Sequence, residues 1–380
     1  MKKLLIDINS IVPYFVTGKV TGIGRTTFQL VKSLSSISDR LDFEIRLISQ
    51  NVKGIGVKEL KTSFKGTHIY APNRPFIKKL YKYFPFRELF ATYDLLHVPH
   101  NFDYVFNPSK TIITLHDALF MRMNENAFDH LTMRREVPSL VQKCKGIITC
   151  SESSKRDIVN TMTVDPSKVD VIYWGVDHSI FKVIEDKDYV KDTLLKHFEI
   201  SGPYFLSVSC NSERKNTHRL VEAYLRLLKE NPYNDLVLVW ENPPASIKEM
   251  IIKANASSRI LFLSNVNDYE LMLLYNGATA MIFPSSYEGF GLPVLEAMSC
   301  GTPVVTCKNS SLPEVGGDAP IYLNEPSAEE ILESLVLFEN GSFDIDELSQ
   351  KGLKQAAKFK WEDTAPEYLR VYRKYLDIRD

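Results

Sequence analysis

Residues 283–303 read Phe-Pro-Ser-Ser-Tyr-Glu-Gly-Phe-Gly-Leu-Pro-Val-Leu-Glu-Ala-Met-Ser-Cys-Gly-Thr-Pro, and this stretch decides the fold. It follows an apolar run, Ala278 to Phe283, that fits a short buried strand. Gly289 and Gly291 then mark a turn, Pro293 opens a helix, and Gly301 followed by Pro303 stops it about two turns later. The free N–H groups of such a helix start, with the turn amides and the helix dipole, favour an anion such as phosphate. Two carboxylates bracket that position, Glu288 in the turn and Glu296 near the first turn of the helix. A carboxylate beside a phosphate needs another partner, and sugar hydroxyls, which donate hydrogen bonds, suit it. The local chemistry points to a glycosylated phosphate ligand.

With 380 residues the chain exceeds one ordinary core and predicts two domains of about 180 residues each. Its 44% apolar and 24% charged residues are those of a soluble globular protein. No segment reaches the roughly 18–20 apolar residues of a membrane span. The start Met-Lys-Lys-Leu-Leu-Ile-Asp meets Asp7 too soon for a signal peptide, so a cytoplasmic location is expected. The five cysteines, 144, 150, 210, 300 and 307, form no Cys-x-x-Cys pair and predict neither disulfides nor zinc, only small buried fillers. Residues 1–100 carry 16 Lys or Arg against 7 Asp or Glu, which predicts an anionic partner for the first half. A membrane surface or a phosphorylated acceptor would serve; nucleic acid is not expected, because no recognised binding motif accompanies the charge.

Ser285, Glu288, Gly289, Phe290, Gly291, Leu292, Pro293, Glu296, Ala297, Met298, Gly301 and Pro303 together form the pattern S-x-x-E-G-F-G-L-P-x-x-E-A-M-x-x-G-x-P. This resembles the signature of the large retaining glycosyltransferase family 4, with its spaced glutamate pair. The resemblance implies an α/β GT-B fold: two Rossmann-like parallel-sheet domains facing a cleft, with a C-terminal helix crossing back to the first. The expected divisions are an acceptor domain over 1–178, a nucleotide-sugar donor domain over 179–362 and the returning helix over 363–380.

Leu4 to Ile8 reads as the first buried strand, and Gly22-Ile23-Gly24-Arg25 leads into a helix. Thr27 replaces the third glycine of a dinucleotide fingerprint, and about 15 residues separate strand from glycines, so nicotinamide binding is not expected. Thr21-Gly-Ile-Gly-Arg resembles the family's glycine-rich loop, which makes Gly22 and Gly24 site candidates; a plain helix start is the other reading. Strand-like runs recur at 43–49, 68–70, 95–98, 111–115 and 146–150 with helical stretches between several of them, the alternation of a covered parallel sheet. Residues 74–90 interleave Arg74, Lys78, Lys79, Lys82 and Arg87 with aromatic and aliphatic side chains. They read either as a membrane-interface segment or as a core-packing helix with a solvated basic face. His116 ends a strand, where α/β sheets place ligands, and Thr114-Leu-His-Asp-Ala-Leu-Phe is similar to a family pattern whose histidine lies at the donor sugar. Ser151 is a candidate N-cap. In Val171-Ile-Tyr-Trp-Gly-Val-Asp, Trp174 replaces the family's Asn. Residues 181–202 lack a strand pattern and read as a linker.

The second half opens with a strand at Tyr204 to Val208, and Ser209-Cys-Asn-Ser-Glu-Arg-Lys-Asn resembles the segment whose basic residues grip the donor diphosphate, here Arg214 and Lys215. Ser209 stands where the family has Gly, Glu213 where it has Pro, and Trp240 to Pro244 replaces a glycine-containing donor loop. The resemblance implies retaining transfer from a nucleotide sugar to an acceptor hydroxyl. Glu288 would orient the donor sugar, Glu296 would hold the ribose, and Gly289, Phe290, Gly291 and Leu292 would line the donor site. No divalent metal or other cofactor is expected, since basic and amide groups already surround the diphosphate. Mannosyl- and rhamnosyltransferases of surface polysaccharide, such as O-antigen, are the relatives it looks most like. GDP-mannose is the first donor expected, and the acceptor a lipid-linked glycan at the inner membrane face. A GT-B phosphorylase and a non-catalytic sugar-nucleotide sensor are the other classes.

Overall fold

The computed structural model describes residues 1–17, 22–72, 74–122 and 128–378. The chain divides into two compact units, Met1–Gly175 with Trp361–Asp380, and Val176–Lys360. Contacts thus divide at 175/176 and 360/361, where the sequence reading has 178/179 and 362/363.

Among the described residues the first unit is built on a seven-stranded parallel sheet: β1 (Lys3–Asp7), β2 (Glu44–Gln50), β3 (Lys65–Ile69), β4 (Leu95–Val98), β5 (Thr111–Thr114), β6 (Gly146–Thr149) and β7 (Val169–Val171), in the order β3-β2-β1-β4-β5-β6-β7. Leu4 of β1 pairs with Ile45 on one side and Leu95 on the other. Runs such as Leu4-Leu5-Ile6 are apolar throughout because both faces are covered. Side chains alternate between those faces: Leu4 and Ile6 pack on the helices Gly22–Ser36 and Trp361–Leu376, Leu5 and Ile113 on Phe128–Lys143 and Glu152–Met162. Ser151 caps the last of these, its hydroxyl accepting from the Ser154 amide at 3.0 Å.

The C-terminal helix is tied to this sheet by polar bonds as well as by its apolar face. His97 of β4 bonds Tyr372 through Nδ1 and Thr114 through Nε2, each at 2.8 Å. Lys374 and the Tyr375 hydroxyl both reach Asp170 of β7, at 2.8 and 2.7 Å.

Residues 74–90 form no continuous helix. A turn of helix, Pro75–Lys79, runs into the 3-10 turn Leu80–Lys82, and a second 3-10 turn spans Arg87–Leu89. Arg87 is not a surface charge: it lies buried between Asp7 and Asp103 and donates to the Tyr104 carbonyl at 2.9 Å. Lys78 joins Asp103 at 2.9 Å, and Tyr81, stacked on Phe86, donates to Gln50 at 2.6 Å. Leu80, Tyr83, Phe84, Leu89 and Phe90 are exposed on the other side, with Arg74 and Lys79.

Among the described residues the second unit holds six parallel strands: β8 (Tyr204–Val208), β9 (Asp235–Val239), β10 (Ile260–Leu263), β11 (Ala280–Phe283), β12 (Val304–Cys307) and β13 (Ile321–Leu323), in the order β10-β9-β8-β11-β12-β13. β13 has no counterpart in the sequence reading, being three residues long and only partly buried. The reading of 181–202 as a linker is corrected. Lys187–Phe198 is a helix, capped by Asp186, and it buries Val190 and Leu194 as an i, i+4 pair in contact with the helix Asp268–Gly277. The helix Leu292–Ser299 starts and stops at glycines that take positive φ, 109° at Gly291 and 76° at Gly301.

Arg87 compensates two buried carboxylates, so Arg87→Ala is expected to cost about 3–5 kcal/mol. Lys79→Ala should change stability by less than about 0.5 kcal/mol, and urea unfolding of both variants checks the contrast.

Candidate functional site

Both sheets reverse their strand order at a crevice, between β1 and β4 in the first unit and between β8 and β11 in the second. Carboxyl ends of strands beside such a reversal are where open α/β sheets bind ligands. The residues singled out in the sequence follow the carboxyl ends of β1 and β5 in the first unit and of β8 and β11 in the second.

In the second unit, the turn after β8 (Glu213–Lys215) lies against the turn after β11. The Ser286 amide donates to the Arg214 carbonyl at 2.8 Å, and Asn216 donates to the Pro284 carbonyl at 2.9 Å. Asn216 takes left-handed backbone, φ 50°, which turns the chain straight into the next helix. This brings Arg214 Nη1, Lys215 Nζ and the Ser285 hydroxyl to one atom, Glu288 Oε1, at 2.5, 2.7 and 2.7 Å. Arg214 also donates to the Tyr287 carbonyl, and the Lys215 ammonium sits 4.2 Å above the Phe283 ring. Burial pushes the Glu288 carboxyl up, but Lys215 and Arg214 outweigh it and hold it below the usual carboxylate value. Burial pushes Lys215 down, with Arg214 adding to the fall and Glu288 opposing it.

The turn itself is held from behind. Ser310 accepts from the Glu288 amide at 3.0 Å, and the Ser311 hydroxyl lies 2.9 and 2.8 Å from the Glu288 and Phe290 carbonyls. Phe290 and Gly291 are buried, while Gly289 and Leu292 are partly exposed at the start of the helix. Glu296 is buried one turn into that helix, and the Tyr275 hydroxyl donates to its Oε2 at 3.3 Å. Ser285, Ser310, Ser311 and Tyr275 are given no individual role by the sequence. Ser209, in the family's glycine position, turns its hydroxyl to Thr217. Trp240 is buried, and its indole N–H donates to Asn211 at 2.7 Å, so the loops after β8 and β9 are joined. Four cysteines are buried as expected, but Cys210, close to Lys215, is exposed.

In the first unit, Gly22 and Gly24 lie inside the first turn of the helix Gly22–Ser36 rather than in a loop; Thr21 falls outside the described residues. Gly22 is exposed with open space where a Cβ would stand, whereas Gly24 is buried. Thr27 anchors this helix start, its hydroxyl placed 2.9 Å from Ser10 Oγ after β1 and 3.3 Å from the Pro99 carbonyl after β4.

His116 follows β5. Its amide donates to Asn101 at 2.8 Å, and its carbonyl accepts from Cys150 and Ser154, each at 3.1 Å. The ring is 6% exposed, and neither nitrogen finds a hydrogen-bond partner of ordinary geometry. Burial, with His100 nearby, pushes its pKa down to about 3 against the weaker pull of the Pro99 carbonyl, so the imidazole is neutral at pH 7.

The pattern described as Glycosyltransferase Family 4 matches residues 20–180, and that described as Glycosyl transferases group 1 matches residues 196–358. The chain is 25% identical over 378 residues to O-antigen chain mannosyltransferase B of Escherichia coli, covering 93% of this chain and 96% of the relative. It is 28% identical over 225 residues to O-antigen chain mannosyltransferase RfbU of Salmonella typhimurium, covering 59% of each. Among solved structures it is similar to WaaG, a glycosyltransferase involved in lipopolysaccharide biosynthesis, with TM-score 0.72 at 16% identity over 97% of this chain and 99% of the other. Sucrose-phosphate synthase from Thermosynechococcus elongatus gives TM-score 0.75 at 16% identity over the whole of both chains.

The Glu288 carboxyl is held below its unfolded value of 4.5, so its contribution to stability is present above that pH and is lost as pH falls through the folded value. Glu288→Gln, which leaves two half-buried cations without a counter-charge, is expected to cost about 1–3 kcal/mol at pH 7. Urea unfolding should show this gap narrowing below about pH 4.

Proposed function

The chain belongs to the family 4 and group 1 glycosyltransferases on a GT-B fold, and we propose that the sugar it moves is mannose, taken from GDP-mannose to a hydroxyl of a growing lipid-linked surface glycan. The observation that carries this is the meeting of Arg214, Lys215 and Glu288 at the strand-order reversal of the second unit. The mannosyltransferase relative covering 93% of the chain supports the choice of sugar. A dTDP-rhamnose or UDP-sugar is the next donor to test.

As the glycosidic bond breaks, negative charge builds on the leaving diphosphate. Arg214, Lys215 and the amides from Gly289 to Leu292 would stabilise it, each charge-assisted hydrogen bond contributing about 1.5–3 kcal/mol. Arg214 and Lys215 supply the positive charge that a divalent cation would otherwise bring, which supports a metal-independent reaction. Before donor arrives, both cations rest on Glu288 Oε1. A diphosphate entering there takes over these bonds and leaves the carboxylate to accept from a sugar hydroxyl. Glu296 would accept from the ribose hydroxyls, Gly22 and Gly24 would allow close approach to the donor, and neutral His116 would bond a sugar hydroxyl. These are roles of position and charge with no covalent nucleophile, and the configuration at the sugar's reacting carbon is retained.

The exposed face of residues 74–90 supports a peripheral contact with an anionic membrane on the cytoplasmic side, where such an acceptor would lie. Among the described residues no helix is long and apolar enough to cross a membrane.

A thermal-shift series against GDP-mannose, dTDP-rhamnose and UDP-sugars tests the donor, with GDP-mannose expected to give the largest rise. Arg214→Ala, Lys215→Ala and Glu288→Ala should each lower kcat/KM about a hundredfold; transfer near wild-type rates would overturn the assignment. Replacing exposed Lys79, Tyr83 and Phe84 by Ser should release the protein from phosphatidylglycerol vesicles in a sedimentation assay, whereas unchanged, salt-insensitive binding excludes the membrane face.

A further inference from the structure

One departure from the family pattern lies beside a proposed site residue. Trp174, where the family has Asn, is 8% exposed, and its rings lie 5.0 Å from the His116 imidazole at an interplanar angle of 60°. Its indole N–H donates to the hydroxyl of Tyr368 on the C-terminal helix. Tyr368 in turn packs at 5.9 Å from Tyr372, the residue that bonds His97. The backbone of His116 is fixed by Asn101, Cys150 and Ser154, but its ring has no hydrogen-bond partner of ordinary geometry to set its orientation.

We propose that Trp174 is a positioning residue for His116: the indole, packed against the imidazole and anchored on Tyr368, sets the plane of that ring and keeps water from its nitrogens. The inference rests on the reading of His116 as a sugar-binding residue. A packed aromatic wall replaces the hydrogen bond that ordinarily fixes a histidine. Because the anchor is on the C-terminal helix, the side chain that sets the ring is itself set by the last element of the chain.

The titratable groups around His116 are His97 of β4 and His100 of the following loop, whose charges act on it or feel it, with Cys150 bonded to its carbonyl and Asp117 next in the chain. His100 opposes protonation, as does burial, and the indole is part of that burial. Opening the wall with Trp174→Asn admits water, and the imidazole should then titrate toward its ordinary value of about 6.5.

The test follows the His116 imidazole by NMR, its signal assigned by loss in His116→Ala, beside the pH profile of transfer. In the native protein the ring should stay unprotonated down to about pH 5. In Trp174→Asn it should titrate near pH 6, kcat should fall about tenfold with donor KM within about threefold, and an acid limb should appear in the profile. Trp174→Phe keeps the wall but loses the anchor on Tyr368, and should fall between wild type and Trp174→Asn in kcat with the ring still unprotonated at pH 7; it decides the matter if the Asn variant does not fold. A flat profile and an unshifted His116 in Trp174→Asn, or a Trp174→Phe as slow as His116→Ala with its ring unshifted, would overturn the proposal. His116→Ala with wild-type kcat would instead overturn the sugar-binding reading of His116, whatever Trp174 does.

Discussion

One oxygen atom, Glu288 Oε1, is where the charged groups of the second unit's candidate site converge. It takes a guanidinium, an ammonium and a hydroxyl within 2.7 Å, and those groups come from two strand ends that would otherwise have no reason to touch. The cations need a counter-charge because they are sheltered from water, and the carboxylate needs them for the same reason. In the donor-free protein the site therefore holds its own anion. The geometry that satisfies the protein internally also holds Arg214 and Lys215 side by side, as the proposed binding of a diphosphate would require.

A comparable economy appears in the first unit. Arg87 lies between Asp7 at the end of β1 and Asp103 beyond β4, and Lys78 shares Asp103. An irregular stretch with little regular hydrogen bonding is fixed there by buried charge. That leaves its opposite side, with Tyr83 71% exposed, to face outward.

The sequence read well where structure is local. The strand runs at Leu95–Val98, Tyr204–Val208 and Ile260–Leu263 coincide with the observed bounds, because buried parallel strands are continuous apolar segments ended by polar or glycine residues. The turn and helix after β11 were legible from Gly291 and Gly301, whose positive φ angles are backbone demands that glycine meets. What failed was whatever distance in the chain hides. Arg87 looks like any basic surface residue until Asp7, 80 positions away, is brought beside it. The helix Lys187–Phe198 was masked by its charged exposed face, its buried stripe being only Val190 and Leu194. Ser310 and Ser311 hold the Glu288 turn from more than 20 residues further on, and no spacing rule connects them.

The C-terminal helix belongs to the unit whose strands come first, and Val176 pairs with Lys360 where the chain leaves and returns. The first unit's core includes Tyr368, Val371, Tyr372 and Leu376. During synthesis, then, the usual order of N-terminal domain first cannot run to completion here. The second unit has all its residues while the first still lacks part of its core, and the unit begun first is finished last. Until the final helix emerges, the apolar surface it covers over Leu30 and Leu34 stays open, and His97 lacks one of its two hydrogen bonds.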